Sequence, residues 1–298
     1  MLIYFYTIFL VQNSDHGFDC ICTLFFLAAV GSYLMIGGTY WYVLIQTTLQ
    51  FSFFMAQWEE YHTHVLPHCA GKWLGVTEVN YGMAVMTIIN SFLDREAVYH
   101  RSMGEVLAPF DSYFAVSEQL PALVLDLELR YFLAAGWAVM NVILQILSLK
   151  RVLFHPHIAS GEFSTAEIRE RRFNAISKLA TPLALGVAAF LVPPDAVRTR
   201  YLSVTLGLAY SLLTKKMIVF SMAKMAFSVM QWDAVPFLLA ALWIRFDDRL
   251  TKMGADFVLG LLCFWYTFRM LRWVNITINQ ICGRLDIYCF RLKKRKRA

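Results

Sequence analysis

"SDHGFDCICTLFFLAAVGSYLMIGG", residues 14–38, places two carboxylates and an imidazole at the mouth of an apolar run that continues to Gly38. A helix needs about 20 mostly apolar residues to cross the hydrocarbon core, so the run from Cys20 reads as a membrane span. Acids at the edge of such a span are costly without a partner, which makes this edge the first place to look for chemistry.

The rest of the 298 residues agrees with that start. The chain is 58% hydrophobic, 15% aromatic and only 16% charged, which does not suit a water-facing surface. We therefore expect an all-α polytopic integral membrane protein of about eight transmembrane helices, at residues 20–38, 40–57, 76–93, 120–147, 176–192, 201–213, 227–244 and 254–276. The 201–213 segment is short and can run past Lys215 and Lys216 toward Met222, with those lysines snorkelling or lining a cavity. Residues 1–298 read as a single membrane domain. Within it, residues 1–19 form a residual N-terminal segment, 149–176 a cytosolic connection and 281–298 a basic tail.

Orientation follows from Lys and Arg alone. If the tail is cytosolic, 17 of the 27 basic residues lie on its side of the membrane, 7 on the other and 3 within spans. The positive-inside rule thus favours a cytosolic C-terminus, and eight spans put residues 1–19 in the cytosol too. The net charge of +6 belongs to these connections and the tail, so no nucleic-acid partner is expected. "MLIYFYTIFLVQ" (residues 1–12) is apolar but too short to span, and it lacks the basic start and cleavage site of a signal peptide. It lies at the interface or finishes a span whose beginning is missing. The six cysteines show no paired spacing and read as free thiols.

Asp15 and Asp19 are four apart, so on a helix they share a face and can hold one divalent cation, Mg²⁺ or Mn²⁺, between them. His16 sits beside that face, and Gly17 leaves room for a phosphate to approach the backbone. The plainer reading makes Ser14 or Asp15 an N-cap, with Asp19 in the first turn favoured by the helix dipole. Spacing alone leaves both open.

Other groups carry similar pairs of readings. Trp58 and Tyr61 can face a quaternary ammonium, with Glu78 offsetting its charge, or they form an aromatic interface belt with Glu78 near a helix start. His62, His64, His68 and Cys69 are metal-capable, but their spacing matches no zinc template. Asp126 and Arg130 stand at i, i+4 near the fourth span and read as a pair near the bilayer surface. Ser164 or Thr165 caps a short amphipathic interface helix. Lys294 and Lys296 in the tail resemble an endoplasmic-reticulum retrieval signal.

Taken together these stretches resemble a known family. "SDHGFDCICTLFF" is similar to the second half of the CDP-alcohol phosphotransferase signature, D-x-x-D-G-x-x-A-R followed by G-x-x-x-D-x-x-x-D. In the choline and ethanolamine phosphotransferase branch that end typically reads F-D-H-G-C-D-S. "AQWEEY" (residues 56–61) and "VTEV" (76–79) resemble that branch's A-H-W-x-x-Y and V-T-E-V pair. "RWVNITINQICGRLDIYCFRLK" resembles its closing helix and tail, so the likeness runs in order along nearly the whole chain.

The resemblance implies transfer of phosphocholine or phosphoethanolamine from CDP-choline or CDP-ethanolamine to diacylglycerol, releasing CMP. It makes Asp15 a metal ligand, Asp19 a ligand or base, and His16 the alternative base. It also implies a homodimer in the endoplasmic reticulum or Golgi membrane, with the active site facing the cytosol. The first half of the signature is absent, and Val11 stands where the family has glycine. The expectation is a truncated sequence, the alternatives being an inactive member or a non-enzymatic multi-pass protein such as a transporter. No internal repeat of the transporter kind is found.

Overall fold

A computed structural model describes residues 19–66, 76–114 and 120–285. Its described residues form twelve α-helices and no strand, apart from one isolated antiparallel bridge between Ser102 and Glu128. In chain order these are α1 (Asp19–Tyr33), α2 (Tyr40–Thr63), α3 (Val76–Phe92), α4 (Arg95–Tyr99), α5 (Met103–Phe114) and α6 (Ala122–Leu125). They continue with α7 (Leu129–Leu153), α8 (Thr165–Ser177), α9 (Ala180–Leu191), α10 (Thr199–Met222), α11 (Val235–Phe246) and α12 (Lys252–Leu285).

All eight expected segments contain helix, and their bounds shift for local reasons. Among the described residues four helical stretches are long and apolar enough to cross a membrane: Leu129–Leu153, Thr165–Leu191, Thr199–Met222 and Lys252–Arg284. The second joins α8 to α9 through a turn at Lys178 and Leu179. α1 and the described part of α3 are shorter apolar helices, and α11 has only 12 residues. The expected segment at 120–147 breaks, because Asp126 ends α6 and Glu128 starts α7 in an extended conformation. Arg130 accordingly pairs with Glu128, Nε to Oε2 at 2.7 Å, rather than with Asp126 one turn before it. The segment at 227–244 becomes helical only at Val235, where Pro236 occupies the first turn and needs no N–H partner.

The core forms around α10. Leu206, Tyr210, Leu212 and Leu213 of that helix are buried against Phe54 and Trp58 of α2, Leu185 of α9, Phe237 of α11 and Leu259 and Tyr266 of α12. The outer faces of α7 and α12 expose Ile143, Ile146, Leu147, Phe257, Leu261, Phe264 and Phe268. An apolar face outside an apolar core is the pattern of helices solvated by lipid. Several polar groups between helices are paired within the protein, as such a solvent favours. Gln46 Nε2 donates to the Ser203 carbonyl at 2.7 Å, Thr205 Oγ1 to that of Leu259 at 3.0 Å, and Tyr210 Oη to that of Pro182 at 2.6 Å.

Candidate functional site

Close approach at one glycine fixes where the acid-bearing end of α1 lies. A Cβ at Gly207 would fall 1.6 Å from Leu24 Cδ2, so only glycine lets α1 seat this deeply on α10. One turn nearer the start of α1, Ser211 Oγ donates to the Cys20 carbonyl at 2.8 Å. Gln50 Nε2 of α2 donates to Thr23 Oγ1 at 3.1 Å, so α1 is gripped from two sides. Pairing Leu24 with Gly207 and Cys20 with Ser211 makes α1 and α10 antiparallel, and the next turn of α10 brings Lys215 to the N-terminal end of α1.

Asp19 is the first described residue of α1 and is partly exposed. Asp15 and His16 lie outside the described residues, as does the Glu78 side chain, although its backbone belongs to α3. Among the described residues no three His, Cys, Asp or Glu side chains converge to hold a metal ion. Asp19 alone is half of the expected pair, so the described residues do not by themselves fit a divalent cation.

The aromatic pair is split by its surroundings. Trp58 is fully buried, and its Nε1 donates to the Ala175 carbonyl at 2.9 Å, tying α2 to α8. Tyr61 is partly exposed: its hydroxyl donates to the Met225 carbonyl and accepts from the Phe227 N–H, both at 3.1 Å. The ammonium of Lys178 lies 5.8 Å from the centre of its ring. His62 packs edge-on against both rings, while His64 turns toward His157, ring centres 5.8 Å apart.

Three charged groups at this end have surroundings that the motif reading did not supply, although Lys215 was expected to snorkel or line a cavity. Glu59 is buried and bridges α2 to α7, accepting from Arg151 Nε at 2.5 Å, Arg151 Nη2 at 2.7 Å and Ser148 Oγ at 2.6 Å. Asp233, in the turn before α11, pairs with Lys216 of α10 and with Arg269 of α12, the latter at 2.7 Å. Lys215 is 8% exposed and points to the Met270 thioether, 3.3 Å away. The signal for all three was present, since each puts a charge inside or beside an apolar segment. Their partners come from distant segments and carry no local pattern.

No family model matches the chain. It is similar to "Uncharacterized CDP-alcohol phosphatidyltransferase class-I family protein 3" of Dictyostelium discoideum, 24% identical over 302 residues, which cover 95% of this chain and 71% of the relative.

Proposed function

We propose that this chain is an integral-membrane CDP-alcohol phosphotransferase of phospholipid synthesis, and within that family one acting on CDP-choline or CDP-ethanolamine with diacylglycerol. The observation that carries the reading is similarity along 95% of the chain to a protein named for that family. The choline and ethanolamine branch rests on the narrower motif likeness of Asp15, His16, Asp19, Trp58 and Glu78.

In the proposed reaction the diacylglycerol hydroxyl oxygen attacks the phosphorus that carries the head group. The bond from that phosphorus to the bridging oxygen breaks, and CMP leaves with the electron pair. The hydroxyl proton passes to the Asp19 carboxylate or the His16 imidazole. A divalent cation, Mg²⁺ or Mn²⁺, belongs to the proposal with Asp15 and Asp19 as its ligands, and when bound it neutralises pyrophosphate charge. Tyr61 is the aromatic group left with a partly open ring for a quaternary ammonium. The proposal also places the site and the C-terminus in the cytosol, the protein in the endoplasmic reticulum or Golgi membrane, and two copies in a dimer.

The test is phospholipid formation from labelled CDP-choline and CDP-ethanolamine, with diacylglycerol and Mg²⁺, in membranes lacking endogenous activity. Product that vanishes in Asp19→Asn supports the reading. No product from either nucleotide removes it for this chain and leaves a non-catalytic relative of the family.

A further inference from the structure

Lys215 is a strange residue for its position. It lies within a membrane-crossing helix, it is 92% withdrawn from solvent by its 8% exposure, and its hydrogen-bonding contact is a thioether, a weak acceptor. An ammonium has three donors, and among the described residues no carboxylate lies within ion-pair distance of this one. A buried charge held so poorly is expensive, and in a membrane helix it marks a functional site by default.

A second group at the same height is also unsatisfied. Gln57 is 2% exposed, and its Oε1 has no hydrogen-bond partner among the described residues. The Gln46 contact with Ser203 sets the register of the parallel helices α2 and α10, and advancing three turns along both brings Gln57 level with Thr214 and Lys215. Both groups therefore lie near the level of Asp19 and Cys20 of α1. On the neighbouring stripe of α10 and α12, Lys216 and Arg269 share the single carboxylate of Asp233, which leaves that cluster cationic as well.

We propose that Lys215 and Gln57 bind the nucleoside diphosphate part of the substrate. Lys215 donates to pyrophosphate oxygens, and Gln57 Oε1 accepts from a hydroxyl or amine of the nucleoside. The identity of the anion rests on the transferase reading above; the existence of an anion site does not. Lys215 acts here as a binding and positioning residue, because its charge is the same before and after transfer.

The experiment uses the purified full chain in lipid nanodiscs with Mg²⁺ present. The shift in thermal midpoint is titrated with inorganic pyrophosphate and with CDP-choline, beside KM and kcat for transfer. Lys215→Met should weaken both ligands about tenfold or more, the loss expected for one charge-assisted hydrogen bond, and raise KM more than it lowers kcat. Lys215→Arg should recover part of that loss. Gln57→Leu should weaken CDP-choline about threefold or more and leave pyrophosphate unchanged. Wild-type affinity for both ligands in Lys215→Met overturns the proposal. If that variant does not fold, amine labelling of the wild-type protein decides: protection of Lys215 by pyrophosphate supports the site, and equal labelling overturns it. A wild-type chain that makes no phospholipid yet binds pyrophosphate through Lys215 would sink the transferase reading and keep the anion site.

Discussion

Leu24 of α1 lies across Gly207 of α10 so closely that a single added carbon at Gly207 would overlap it. That contact sets the height of Asp19 against α10. Gly207→Val should destabilise the protein by about 1–3 kcal/mol, the usual cost of overpacking, and reduce any transferase activity with it. Leu24→Ala in the same chain should restore part of both. Thermal unfolding in nanodiscs checks the first, and an unchanged midpoint in Gly207→Val would mean that α1 does not pack as described.

The acids should matter through their charge rather than their shape. Asp15→Asn and Asp19→Asn are each expected to abolish phospholipid formation, while His62→Ala should leave it nearly unchanged. Labelled-substrate assays on matched amounts of membrane protein decide this. Full activity in Asp19→Asn would remove the assignment.

Metal dependence follows from the same pair. Chelation should silence transfer, and added Mg²⁺ or Mn²⁺ should restore it, because affinity for a hard cation falls with every carboxylate oxygen lost. Activity that survives exhaustive chelation would exclude Asp15 and Asp19 as cation ligands.

Tyr61 separates a structural hydroxyl from a binding ring. Tyr61→Phe removes a donor to Met225 and an acceptor from Phe227, and should cost about 1 kcal/mol of stability with KM unchanged. Tyr61→Leu removes the ring as well, and should raise KM for CDP-choline about threefold. Equal KM in the two variants would take the head group away from this residue.

Glu59 is expected to be a structural carboxylate. Arg151→Ala leaves it buried with only Ser148 for support, and unfolding should become easier by about 2 kcal/mol or more, Arg151 itself being half exposed. Glu59→Gln, which no longer needs a cation, should cost less. A reversed order of the two midpoints would contradict this account.

Where a feature is written in neighbouring residues, it was legible. Ser164 accepts from the Glu167 N–H at 3.3 Å while Glu167 Oε2 accepts from the Ser164 N–H at 2.8 Å, a capping box that needs only four residues to be read. The passage of α10 through Lys215 and Lys216 to Met222 was legible too, since apolar residues resume beyond the lysines. The break at Asp126 was not, because an i, i+4 pair with Arg130 suggested continuous helix whereas Glu128, two residues from Arg130, takes the guanidinium. Nor was the inward turn of Trp58: an aromatic residue at a helix end looks the same whether it faces lipid or an Ala175 carbonyl 117 residues away. That Lys215 and Gln57 lie at one level depends on the register of α2 and α10, and helix register is a property of packing rather than of any one segment.

The bond from Ser211 to the Cys20 carbonyl joins residues 191 apart, which has a consequence for biosynthesis. At roughly 5–20 residues per second, α1 leaves the ribosome about 10–40 s before α10. During that interval α1 has no α10 to lean on. The early chain must be sheltered by the insertion machinery or wait at the membrane surface. A nascent chain arrested before Thr199 would present α1 without its partner, a ready mark for quality control, and the contacts around Asp19 would be among the last to come together.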